Sequence, residues 1–235
     1  MGRKSNVLDF VVPLGNEKLF TANLDTAKQP CMDVKVGIPK RVPRRHKIFV
    51  QGAPVDRFYQ VVEGVVRTYA LLNDGQRIID GFHFAGDFFG FEQGHVHRFS
   101  ADSAEEVTVR AFRCEELDKV FHDQSDLGRS FRSSVIASFS RAQDRALLLG
   151  LKTASERIAA FLLELARHAS RTRTERLPMH RADIADYLGL SRETVSRVLS
   201  NLPTDCRKVP SKGFTDPSLR RMPIARQRTE YGIKT

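Results

Sequence analysis

The 235-residue sequence predicts an α+β fold: an antiparallel β-roll of the jelly-roll type, then one long helix, then a C-terminal helix-turn-helix. Three observations carry this prediction. From about Lys47 to Phe112, short runs of β-branched and aromatic residues alternate with turn signals. From about Ser125 to Leu149, apolar residues recur every three or four positions. From Arg181 to Asn201 the chain reads RADIADYLGLSRETVSRVLSN, two amphipathic helical patterns separated by a glycine.

The strand runs are Ile48–Val50 before Gly52, Phe58–Val62 before Glu63-Gly64, Val65–Leu72 before Asn73-Asp74-Gly75, Ile78-Ile79 before Asp80-Gly81, and Val107–Phe112. Asp74-Gly75 is a hairpin signal because both residues tolerate positive φ. Regular turn spacing of this kind favours a small roll or barrel over a parallel sheet.

In the long helix, Phe131, Val135, Phe139, Ala142, Ala146 and Leu149 form a narrow stripe. A stripe of this width suits a seam between two long helices and predicts a dimer interface. At 1.5 Å per residue the helix is ~35 Å long. Leu149-Gly150-Leu151 marks a hinge, and Thr153 with Glu156 forms a capping box that starts the next helix, with Ile158, Phe161, Leu162 and Leu165 inward. Ala169 to Arg176 is polar and Arg-rich and reads as a loop or short hairpin. The expected divisions are an N-terminal extension (1–34), the β-roll (35–124), the long helix and hinge (125–151), the helix-turn-helix domain (152–202) and a basic tail (203–235).

Within the helix-turn-helix, Ile184, Ala185 and Leu188 supply one apolar face and Gly189 ends the first helix. Ser191 is placed to cap a second helix, whose Val195, Val198 and Leu199 face inward. The opposite face presents Arg192, Glu193, Ser196 and Arg197. Glu193, Ser196 and Arg197 stand at i, i+3 and i+4 and so share one surface. Arg can hold guanine O6 and N7 with two hydrogen bonds, and Glu can accept one from cytosine N4. These four residues are the candidate DNA contacts, with double-stranded DNA the expected partner.

Charge agrees with that reading. Residues 1–125 carry 17 Lys+Arg against 17 Asp+Glu, whereas residues 126–235 carry 21 against 11 and hold the whole net charge of +10. A neutral front half joined to a basic rear half fits a sensing or scaffolding domain followed by a polyanion-binding one. No apolar run approaches the ~18–20 residues needed to span a bilayer, and MGRKSNVLDFVVPLG lacks the apolar core of a secretory signal. Asn6 stands where a myristoylation pattern wants Ser or Thr. Three scattered cysteines, Cys31, Cys114 and Cys206, form no disulfide framework. A cytoplasmic protein is expected. No nucleophile–base pair, phosphate loop or metal triad appears, so an enzyme is not expected. His180, just before the helix-turn-helix, reads as a positioning residue near the DNA backbone or solvent.

The order of roll, long helix, hinge and helix-turn-helix resembles the CRP/FNR family of bacterial transcription regulators, and within it the FixK-type branch. The segments that carry the resemblance are FYQVVEGVVRTY (58–69), NDGQRIIDGFHFAGDFFGFEQG (73–94), LKTASERIAAFLLELA (151–166) and the helix-turn-helix. The resemblance spans roughly residues 35–202. It implies a cyclic-nucleotide-binding-like roll, a winged helix-turn-helix, and a homodimer whose recognition helices read the two halves of a palindrome. It also implies an activator that works on RNA polymerase.

The resemblance leaves the half-site open between two patterns. Arg192-Glu193 with Arg197 is similar to the cyclic-AMP receptor type, which reads TGTGA; Glu193 with Ser196-Arg197 is similar to the FNR type, which reads TTGAT. Ser196 favours TTGAT, and Arg192 contacts either a base or a phosphate. Cyclic-AMP receptors carry Gly-Glu near the ribose and Arg-Ser at the phosphate. Here Gly86-Asp87 and His97-Arg98 stand at those positions, with Phe88, Phe89 and Phe91 read as core, so a degenerate pocket is expected. An FNR-type cluster needs four thiolates, three closely spaced near the N-terminus, and this chain has only Cys31 there. His83, His95 and His97 are read as surface or packing residues. No cofactor is expected, and the FixK-type resemblance implies activity without a small-molecule effector. Cys206 lies just past the recognition helix, where oxidation would disturb DNA binding.

The C-terminus departs from the family pattern. Leu202-Pro203 ends the recognition helix where a turn and two-stranded wing are expected, and residues 203–235 hold four prolines and eight Lys+Arg against three Asp+Glu, without strand alternation. The wing is therefore expected to be incomplete and the tail largely disordered. Such a tail either adds phosphate contacts through Arg207, Lys208, Arg220 and Arg221 or leaves a dimerising module defective in DNA binding.

Overall fold

In the computed structural model, residues 37–92, 94–151, 153–169 and 177–201 are described. The expectations for the N-terminal extension, Cys31, the Arg-rich loop, Cys206, the wing and the tail lie outside them. The chain divides into two units, Met1–Ser140 and Arg141–Thr235.

Eight strands build the first unit: β1 (Lys40–Val42), β2 (Lys47–Phe49), β3 (Arg57–Glu63), β4 (Val66–Leu71), β5 (Arg77–His83), β6 (Phe88–Phe89), β7 (Ser100–Ser103) and β8 (Val107–Arg113). They form two antiparallel four-stranded sheets, ordered β1-β8-β3-β6 and β2-β7-β4-β5. The alternating apolar residues of these strands meet in one core that includes Phe49, Tyr59, Val61, Val66, Phe89, Val107 and Val109. This is the predicted jelly roll. The strands read from sequence recur as β2, β3, β4, β5 and β8. The shorter β1, β6 and β7 were invisible because KRV, FF and SADS show no apolar alternation.

Between β4 and β5 only Gly75 of the Asp74-Gly75 pair takes positive φ, at 82°. Its N–H bonds Leu72 O at 2.9 Å, and the Asp74 carboxylate accepts the Gln76 N–H at 2.9 Å. Asp74 therefore closes the turn through its side chain rather than through a left-handed backbone.

Sequence patterning also missed an ion pair inside the roll. Arg67 on β4 donates Nε–H to Asp102 Oδ1 at 2.5 Å and Nη2–H to Oδ2 at 2.9 Å, with both side chains 9% exposed. The two residues lie 35 positions apart, and only the β4–β7 register brings them opposite each other. A forked guanidinium–carboxylate contact pairs both charges where each is largely shielded from water.

A 3-10 turn (Cys114–Glu116) and α1 (Leu117–His122) lead into α2 (Asp126–Leu151), a continuous helix of 26 residues. Its first turns belong to the roll. Phe131 is 2% exposed and packs with Phe58, Phe88, Phe91 and Phe121, ring centroids 5.1–6.3 Å apart. Val135 packs against the same cluster, and Ser134 Oγ accepts the Phe88 N–H at 2.9 Å. This corrects the predicted seam: Phe131 and Val135 point into their own roll. The exposed apolar residues of α2 are Ile136 (67%), Phe139 (64%) and Leu147 (61%), with Ala142 and Ala146 also exposed and Leu149 half-buried. The 3.6-residue period revealed the helix but not which of its stripes the roll would claim.

In the second unit follow α3 (Ala154–Ala169), α4 (Arg181–Leu188) and α5 (Arg192–Asn201). The capping box at the start of α3 forms as read: the Thr153 N–H donates to Glu156 Oε2 at 2.8 Å, and the Glu156 N–H to Thr153 Oγ1 at 3.4 Å.

Candidate nucleic-acid interface

The α4–α5 pair is set by local chemistry. The Asp183 carboxylate accepts the His180 N–H at 3.1 Å and so fixes the start of α4. His180 is exposed, and its backbone N–H is the donor in this contact. Gly189 ends α4 in the left-handed region (φ 62°), and its N–H reaches back to Ala185 O. A residue with a Cβ is strained in that conformation. Two residues later Ser191 caps α5, its Oγ accepting the Thr194 N–H at 3.1 Å.

Ile184, Ala185 and Leu188 of α4 and Val195 and Leu199 of α5 are buried together with Ile158, Phe161 and Leu165 of α3. Tyr187 lies 5.5 Å from the Phe161 ring and under the Arg145 guanidinium at 4.4 Å. Val198, read as inward, is only partly buried. The core thus rotates α5 so that Arg192, Glu193 and Arg197 are exposed and Ser196 is partly exposed. One helix surface brings the four predicted contact residues together. Two exposed guanidiniums, a carboxylate and a hydroxyl there can engage phosphates and base edges.

The roll carries the residues compared above with the cyclic-AMP receptor pattern, where a degenerate pocket is expected. Asp87, at the position of a ribose-binding Glu, is buried, and its carboxylate accepts the Phe84 N–H at 2.9 Å. His97 is 2% exposed and stacks on Phe49 with centroids 3.8 Å apart. Its Nδ1 lies 3.2 Å from Glu92 Oε1, and Glu92 Oε2 accepts the Arg98 N–H at 2.8 Å. A carboxylate therefore occupies the segment where the receptor pattern has its phosphate-binding pair. Phe88 and Phe89 are buried as read, and Phe91 packs partly. His83 stacks on Phe89 at 5.2 Å and His95 is exposed. Among the described residues no group of three His, Cys, Asp or Glu could hold a metal ion. Burial, with a smaller contribution from Asp56, pushes the Cys114 thiol up to about 11, which keeps it protonated.

Comparison with known proteins decides what this arrangement belongs to. Residues 156–205 match the Crp-like helix-turn-helix domain, and residues 39–124 match the cyclic nucleotide-binding domain. The nitrogen fixation regulation protein FixK of Rhizobium meliloti is 42% identical over 156 residues, which cover 66% of this chain and 71% of that protein. The chain belongs to the CRP/FNR family, in its FixK-like branch. The regulator is also 40% identical over 162 residues to the transcriptional activatory protein AadR of Rhodopseudomonas palustris, covering 67% of this chain and 68% of that one. Among solved structures, FixK2 from Bradyrhizobium japonicum superposes with a TM-score of 0.62 at 41% identity, over 72% of this chain and 85% of the other. The regulator is thus a DNA-binding transcription regulator whose DNA contact runs through the helix-turn-helix, and its relatives are regulators rather than enzymes. Among its described residues no helix is long and apolar enough to cross a membrane.

Proposed function

We propose that the regulator is a homodimeric transcription activator that reads TTGAT-like palindromes without a small-molecule effector. The observation that carries this is the exposed surface of α5. Glu193 and Arg197 stand one turn apart with Ser196 beside them, the donor and acceptor set that reads C·G and G·C pairs in the major groove. Ser196 favours TTGAT over TGTGA half-sites, and Arg192, in the first position of α5, supplies a base or a phosphate contact. Two copies joined along α2 through Ile136, Phe139, Ala146 and Leu147 would pair their recognition helices on the two halves of a palindrome. Activation then works through RNA polymerase in the cytoplasm, a role supported by the activator name of the Rhodopseudomonas relative. The stacked His97 and the Glu92 carboxylate support independence from cyclic nucleotides.

The test is binding of the purified full-length chain to a TTGAT palindrome, a TGTGA palindrome and scrambled DNA, with and without cyclic AMP. Preference for the first, unchanged by cyclic AMP, is expected. Equal and salt-sensitive binding to all three would leave only the phosphate attraction of a basic chain and would overturn the reading.

A further inference from the structure

Arg157 stands in the first turn of α3, yet its side chain is bonded outside its own helix. Nη2–H donates to Leu149 O at 2.8 Å, and Nη1–H donates to Leu188 O at 3.1 Å. Leu149 lies in the last turn of α2 and Leu188 is the last residue of α4. Both carbonyls are among the four that each helix end leaves without an intrahelical partner. One guanidinium thus satisfies two helix ends and places its positive charge at the negative pole of both. The Thr153–Glu156 capping box holds the turn that carries Arg157. On the far side, a Cβ added to Gly189 would meet Leu149 Cδ2 at 3.7 Å and Arg157 Nη1 at 3.9 Å, so the turn of the helix-turn-helix lies against the same junction.

We propose that Arg157 is a positioning residue that sets the angle of the α4–α5 pair relative to the end of α2, and through it the half-site separation that the regulator accepts. Only a planar fork reaches two carbonyls from one stem; a lysine ammonium is a point donor and keeps one contact firmly at most. The consequence for DNA depends on the dimeric reading above. When two recognition helices are mounted on joined α2 helices, the angle at each junction fixes their spacing. One base pair shifts a half-site by about 3.4 Å and turns it by roughly a tenth of a helical turn. A locked junction rejects that shift, and a loose one follows it.

The experiment compares the full-length wild type with Arg157→Lys and Arg157→Ala. The DNA probes are TTGAT palindromes of the preferred separation and of one base pair more and fewer, together with a single half-site. The wild type is expected to favour one separation by about tenfold or more, the size of a single mismatched base pair. The variants are expected to keep half-site affinity while their separation preference collapses. Loss of affinity in equal proportion on every probe would show a merely structural role and overturn the proposal. Hydrogen exchange without DNA gives a second, independent reading: in Arg157→Lys, faster exchange is expected at residues 149–153 and 188–191, with the middle of α3 unchanged. A uniform rise through α3, α4 and α5 would also overturn it. A wild type indifferent to separation defeats the dimeric reading, and hydrogen exchange then decides the clamp alone.

Discussion

His97 lies flat on Phe49, 3.8 Å between ring centroids, with its Nδ1–H turned to the Glu92 carboxylate. A carboxylate can only accept here, so Nδ1 is the donor in this contact. Placing a phosphate near Glu92 would set like charges together in a partly buried space, and opening the stack would expose a packed ring. Cyclic AMP is therefore expected to give no binding heat in titration calorimetry and no change in DNA affinity. A measurable heat accompanied by tighter DNA binding would contradict this account.

Arg197→Ala is expected to cost ~1–3 kcal/mol on the palindrome and little on random DNA. Titrations on both probes check this. Equal loss on the two would show that Arg197 holds phosphates rather than bases.

Removing Asp102 leaves Arg67 charged and buried. Asp102→Ala is expected to destabilise the roll by ~3–5 kcal/mol, the usual penalty for breaking a buried ion pair by removing one partner. Urea unfolding followed by far-UV circular dichroism measures it. A loss below ~1 kcal/mol would mean that water reaches the pair.

Gly128 sits in the first turn of α2 against the preceding loop. A Cβ there would fall 2.1 Å from Asp123 O and 2.9 Å from Val120 O, both backbone atoms that cannot swing aside. Gly128→Ala is expected to destabilise the first unit by ~1–3 kcal/mol through overpacking, despite alanine's better helix propensity. A rise in melting temperature would refute this.

Cys114 titrates above its ordinary value of 9.0, at about 11. A group whose folded-state value is raised contributes stability that is present below pH 9 and lost as pH climbs towards 11. In a Cys31→Ser, Cys206→Ser background, iodoacetamide at pH 8 is expected to label Cys114 more slowly in the folded chain than after denaturation. Equal labelling rates in the folded and denatured chain would contradict the raised value of this half-buried thiol.

The helix-turn-helix was legible in sequence because its determinants are local. Gly189, Ser191 and the Thr153–Glu156 box each act within four residues, and each forms the contact its type predicts. The four candidate contact residues share one helix surface because helical spacing alone decides which side chains do so. What stayed hidden is non-local. Arg67–Asp102 depends on strand register, and Arg157 on two helix ends, one 31 residues distant in sequence. On α2 the visible stripe ran through Phe131 and Val135, and only the roll's aromatic cluster shows that they are already occupied. Periodicity identifies an apolar face without saying what covers it.

Because Phe131 and Ser134 belong to the roll, the module boundary does not precede α2; the compact units part after Ser140, inside the helix. An excised roll that stops at residue 124 lacks a wall of its own core. Recombination that exchanges rolls between such regulators would therefore preserve folding only when the crossover lies past Val135, so that the first turns of α2 travel with the roll whose core they complete.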